Sequence, residues 1–120
     1  MTREFAPIPE RTEDVARQVL DAAFTVHRAL GPGLIESVYK VCVCHELSKR
    51  GLAFQYELKL PVVYEGIRLE TGLRFDIMVD DCVIVEAKAV DKMIPVYDAQ
   101  ILTYLKLTGC RLGLLINFNV

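Results

Sequence analysis

After Asp76 and a gap of nine residues come Glu86-Ala87-Lys88, all within the segment DIMVDDCVIVEAK, which is otherwise largely apolar and β-branched. Burying an ionised group without a partner costs on the order of several kcal/mol. Two carboxylates and an amine on such strands therefore point to an ion, an ion pair or a reaction that requires them. Paired carboxylates aimed at one point, with oxygen donors and no thiolate, are hard ligands suited to Mg²⁺ or Mn²⁺. Such an ion polarises a phosphoryl oxygen and lowers the pKa of a water it binds, which phosphodiester hydrolysis requires. Lys88, one side chain beyond Glu86 on the same strand face, could orient or deprotonate that water or stabilise charge in the transition state.

Whether the two carboxylates act together depends on the hairpin that carries them. Side chains alternate along a strand, so Glu86 and Lys88 share a face while Ala87 turns away. A three-residue connection Asp80-Asp81-Cys82 pairs Val79 with Val83 and sets Asp76 opposite Glu86. A two-residue turn at Asp80-Asp81 would put them on opposite faces, because one step of register flips every side chain. The site requires the odd-length loop.

The elements that must position these residues follow from periodicity. Residues 1–11, with Pro7 and Pro9, read as an extended arm, and residues 12–120 as a single domain. Thr12 with Glu13 and Asp14 starts a helix whose Val15, Val19, Ala22, Ala23, Val26 and Leu30 recur at helical spacing, and Gly31-Pro32-Gly33 ends it. A second helix runs from Leu34 to Arg50 with Gly51 as its cap. Strands are expected over 53–63, 67–70, 73–79 and 83–88, with a turn at Glu65-Gly66. Pro95 opens a third helix that reaches Thr108 and ends at Gly109, and 111–118 is a largely buried closing strand. The expected fold is mixed, α/β of the α+β kind: two N-terminal helices, an antiparallel β-meander, a crossover helix and a closing β-strand in a mixed sheet.

A chain of 120 residues that is 52% apolar can form a core without disulfides. No apolar run is long enough to span a bilayer and no signal peptide is visible, so a cytoplasmic protein with no membrane partner is expected. Cys42, Cys44, Cys82 and Cys110 then read as reduced apolar fillers on a helix and two strands, since a C-x-C-H cluster with no second spaced pair is a weak metal signal. With a net charge of −2, no global field attracts a polyanion, and a nucleic acid would have to be held by local Lys and Arg.

Further motifs surround the central segment. Gly33-Leu34-Ile35-Glu36-Ser37-Val38-Tyr39 reads G-x-x-E-x-x-Y, and Gln100 to Tyr104 reads Q-x-x-x-Y, with its two named residues on one helical face. In this order the motifs resemble the D-x(n)-E-x-K core of the PD-(D/E)xK nuclease superfamily, its RecB-like members, and within it the small family named for G-x-x-E-x-x-Y. The stretches Val26 to Gly33 and Leu114 to Asn119 look like that family too, and the resemblance runs from about residue 13 to the C-terminus. It departs at Phe75, where the superfamily name has Pro.

The resemblance implies a restriction-endonuclease-like core and a nuclease that hydrolyses DNA, or as second choice RNA, with Mg²⁺ or Mn²⁺. It implies that Asp76, Glu86, the Ala87 carbonyl and Glu36 hold the metal, that Lys88 is the catalytic lysine, and that Gln100 and Tyr104 support the lysine or contact the substrate backbone. Lys92, in the loop after Lys88, is a candidate phosphate contact, and Tyr39 and His27 are weaker substrate candidates. Tyr97 and Asp98 read as helix-capping residues, and Lys40, Lys106 and Arg111 as solvated charges. A homodimer is the commonest assembly for a domain of this kind. The alternative is a nuclease-fold module that binds nucleic acid or protein with little or no turnover.

Overall fold

The computed structural model describes residues 7–120, apart from the side chains of residues 71 and 72. Most of the expected arm, residues 1–6, lies outside the described residues. The elements are α1 (Glu10–Leu30), α2 (Glu36–Lys49), β1 (Phe54–Tyr64), β2 (Ile67–Val79), β3 (Val83–Lys88), α3 (Pro95–Thr108) and β4 (Leu112–Asn117). One four-stranded sheet in the order β1-β2-β3-β4 is antiparallel except for its parallel β3–β4 pair, so the fold is the expected mixed one. A parallel neighbour needs a crossover, and α3 supplies it.

α1 begins two residues before the expected Thr12, because the Pro9 carbonyl accepts the first helical bond from Glu13 N–H at 3.1 Å. Thr12 is buried within the helix instead of capping it. At the other end Gly31, at φ 66°, closes α1 by donating its amide to the His27 carbonyl at 2.8 Å. α2 starts at Glu36, later than the expected Leu34. α3 opens at Pro95 as its first-turn proline and closes on Gly109 at φ 77°, both as expected, though no side chain caps its N-terminus. The capping roles expected for Tyr97 and Asp98 are therefore not found. Among the described residues no helix is long and apolar enough to cross a membrane.

Two cores sandwich the sheet. On one side α1 and α2 contribute Val15, Val19, Val26, Tyr39, Val43 and Leu47 against Ile77, Val79, Val83, Val85 and Ala87. On the other, Ile101 and Tyr104 of α3 pack on Phe75, Met78 and Ile84. The strands expected separately over 67–70 and 73–79 are one, because β1 pairs with both halves. The ladder shifts register between Leu60 and Val62, where Pro61 has no amide to donate.

One irregularity matters for the site. Ile77 and Val79 face α1 and α2, whereas Phe75 and Leu73, at the same alternation, pack with α3; on β1, Phe54 and Leu58 divide the same way. The β1–β2 ribbon thus turns over between these pairs, at Glu57 and Asp76. Glu57 has φ 51°, a left-handed conformation that costs a residue with a side chain about 1–2 kcal/mol.

Candidate active site

The β2–β3 connection has the odd length the site requires. Asp80 and Asp81 both take positive φ, Cys82 N–H donates to the Val79 carbonyl at 3.0 Å, and Val79 pairs with Val83. The paired register runs only to Ile77 and Val85. One step further Asp76 stands opposite Glu86, and side chains replace the main-chain ladder. Asp76 N–H donates to Glu86 Oε1 at 3.1 Å, and Ala87 N–H donates to Asp76 Oδ2 at 2.8 Å.

This places two carboxylates side by side with little water. Glu86 is 6% exposed. Its burial, and next the negative charge of Asp76, push the Glu86 carboxyl up to about 8. Tyr104 is buried against Phe75 with ring centroids 4.6 Å apart, and its hydroxyl is also pushed up, by burial first and then by Glu86 and Asp76. α3 thus sets Tyr104 on Phe75, the residue before Asp76. Gln100, one turn earlier, is exposed and lines a shallow recess with Leu73, Thr103 and Tyr104.

Lys88 lies half-buried at the end of β3, its ammonium 4.6 Å from the centroid of the Tyr97 ring. Such a cation–π contact contributes about 0.5–2 kcal/mol. The following loop is held by the Asn117 side chain, which accepts from Val90 N–H at 3.1 Å and donates to the Val90 carbonyl at 2.9 Å. Asn119 adds a bond to Asp91 at 2.9 Å. Lys92 is exposed on this tethered loop, four residues beyond Lys88.

Lys40 overturns its reading as a solvated charge. Its side chain is 8% exposed, and its ammonium lies 3.1 Å from Glu57 Oε1 and 3.3 Å from Asp76 Oδ1. Burial pulls the Lys40 pKa down, but Glu57 and Asp76 together outweigh it and hold the ammonium above its ordinary value. Lys40 likewise holds the Glu57 carboxyl below the ordinary carboxylate value. Sequence reasoning missed both residues. The only signal was that Lys40 lies four residues beyond Glu36, on the same helical face.

The structure does not bring every candidate together. Glu36 is half-buried in the first turn of α2, one turn from Lys40, and its side chain has no hydrogen bond or ion pair among the described residues. Among those residues no three His, Cys, Asp or Glu side chains gather closely enough to hold an ion by themselves. Tyr39 is fully buried and stacks on Phe118 at 4.7 Å; its hydroxyl donates to the Gly31 carbonyl at 2.6 Å and accepts from Leu34 N–H at 3.1 Å. It fastens the Gly31–Gly33 turn to α2 and is not available to a substrate, contrary to expectation. Gly33, at φ 103°, is needed there because side-chain-bearing residues rarely adopt that conformation. His27 lies with Phe24, Phe118 and Val120 around a separate apolar recess, its Nε2 2.9 Å from the Val120 carbonyl. Cys42 and Cys44 lie on α2 as expected, but Cys82 and Cys110 sit in connections and not in strands; all four are free thiols.

Two adjacent carboxylates, of which Glu86 resists ionisation through its burial first and then through the charge of Asp76, form an oxygen-only pair that a hard divalent ion would neutralise. The pair fits Mg²⁺ or Mn²⁺, with further oxygens needed to complete the shell.

Residues 13–120 match a family model described as the PD-(D/E)XK nuclease superfamily. No curated protein and no solved structure matches the chain.

Proposed function

The chain belongs to the PD-(D/E)XK nuclease superfamily, and we propose that it is a Mg²⁺- or Mn²⁺-dependent nuclease that hydrolyses phosphodiester bonds of DNA, with RNA as second choice. The observation that carries this reading is the convergence of Asp76 and Glu86, each bonded to a main-chain amide of the other's strand. In this reading Asp76, Glu86 and the Ala87 carbonyl would hold the ion, and Glu36, which stands apart from the pair on α2, would position a water bound to it. A bound divalent ion would supply Lewis acidity to the phosphoryl group and lower the pKa of the attacking water.

The chain's own residues do the rest. Lys88 brings positive charge to the phosphoryl oxygens and orients the water, and the Tyr97 ring keeps its ammonium at the mouth of the site. Tyr104 closes the α3 side of the carboxylate pair, and Gln100, exposed one turn before it, contacts the substrate backbone. Lys92 binds a neighbouring phosphate from the tethered loop.

A second reading, a nuclease-fold module without turnover, has one observation in its favour. Lys40 already neutralises part of the charge on Asp76. The two readings separate when the pure protein meets circular single-stranded DNA, linear duplex and RNA in Mn²⁺, beside Lys88→Ala. Cleavage by the wild type and none by Lys88→Ala is expected. Equal cleavage by both removes the lysine from the mechanism, and none by either favours the module.

A further inference from the structure

A lysine on a surface helix ordinarily extends its ammonium into water, because desolvating the charge is unfavourable. Lys40 does the reverse and ends between two carboxylates. On Asp76, Oδ2 accepts from Ala87 N–H and Oδ1 from the Lys40 ammonium, so each carboxylate oxygen already has one donor and the charged one is on Oδ1. A divalent ion that engages Oδ1 meets this ammonium first.

Glu57 explains how the conflict can be resolved. In the β1–β2 ladder Tyr56 pairs with Ile77 and Leu58 with Phe75, so Glu57 falls opposite Asp76. Across three neighbouring strands the acids therefore run Glu57, Asp76, Glu86. Glu57 adopts a left-handed conformation that surrounding contacts must hold in place. Its Oε1 receives Lys40 at 3.1 Å, while Oε2 lies 3.7 Å from Arg74. Glu86, on the far side of Asp76, has no ion-pair partner among the described residues, although Lys88 lowers its pKa to a small extent. One ammonium thus sits between the first two acids of the row.

We infer that Lys40 is the resident cation of this site: its ammonium holds the Asp76 carboxylate in place before a divalent ion arrives, and Glu57 takes it over when one binds. The inference rests on the reading of Asp76 and Glu86 as ion ligands. Lys40 then competes with the metal, and Glu57 relieves the competition. Removing the ammonium leaves three carboxylates with less counter-charge and strengthens the attraction for a dication. Neutralising Glu57 leaves Lys40 dependent on Asp76 and weakens it.

The test is Mn²⁺ binding, read from the spin-resonance signal of free Mn²⁺, on the wild type, Asp76→Asn, Lys40→Met and Glu57→Gln. Lys40→Met is expected to bind about tenfold tighter or more, and Glu57→Gln about threefold weaker or more. Asp76→Asn is expected to lose the site. Binding that depends on Asp76 but is not tightened by Lys40→Met overturns the inference alone. Binding insensitive to Asp76→Asn, or none in any protein, overturns the ligand reading and this inference with it. Should Lys40→Met fail to fold, Glu57→Gln decides: weaker binding upholds the inference, and unchanged or tighter binding overturns it.

Discussion

Glu86 accepts the main-chain amide of Asp76, and Asp76 accepts the amide of Ala87, the residue next to Glu86. Each carboxylate is thereby anchored to the strand that carries the other. The anchoring fixes both head groups where the ladder stops, without a long side chain having to be frozen by packing alone. It also forces two acids together in a place where one of them resists ionisation.

That conflict has a pH signature. The Glu86 carboxyl rises from 4.5 to about 8 on folding, through burial and then the charge of Asp76. A raised pKa contributes stability that is present below the unfolded value and is lost as pH rises through the folded one. The loss is on the order of a few kcal/mol. Without divalent ions, the wild type should lose melting temperature relative to Glu86→Gln between about pH 5 and about pH 8. Parallel melting curves for the two proteins in a chelator would contradict the assignment.

The Tyr97 ring should matter to cleavage only through Lys88. Tyr97→Phe keeps a ring at 4.6 Å from the ammonium and should stay within about twofold of wild type. Tyr97→Leu removes the ring and should lower the single-turnover rate by about three- to thirtyfold. A leucine variant as fast as wild type would show that the ring does not position the lysine.

Tyr39 should prove structural. Tyr39→Phe deletes the bonds to Gly31 and Leu34 and should reduce unfolding free energy by about 1–2 kcal/mol in a denaturant titration. Cleavage per folded molecule should not change. A fall in rate with stability intact would return Tyr39 to the substrate role suggested by sequence.

α3 packs closely on β4 because Gly113 leaves room for it. A Cβ on Gly113 would lie 2.9 Å from both Cγ1 and Cδ1 of Ile101. Gly113→Ala should destabilise by about 1–3 kcal/mol, the usual range for overpacking. Ile101→Val in the same chain should recover part of it. Additive losses in the double mutant would mean that the two positions do not compete for space.

Sequence alone determined what depends on short-range periodicity and turn chemistry. The Gly31–Gly33 break and the ends of α3 at Pro95 and Gly109 follow from local dihedral preferences; the sequence left a two- or a three-residue turn at Asp80 open, and the structure decides for the odd Asp80–Cys82 loop. The facing of Asp76 and Glu86 follows from that loop, because strand alternation propagates a known register. Tertiary structure decided the rest. Glu57, Lys40 and Tyr97 carry no local mark of their partners, which lie on other elements 19, 36 or 9 positions away in the chain as the packing brings them. The reversal of the β1–β2 ribbon at Glu57 defeats simple alternation, and it sets Asp76 within reach of α2. A charge on a helix reads as solvated until the opposing surface is known, and only the packing of α2 over the β1–β2 ribbon placed Lys40 between two acids.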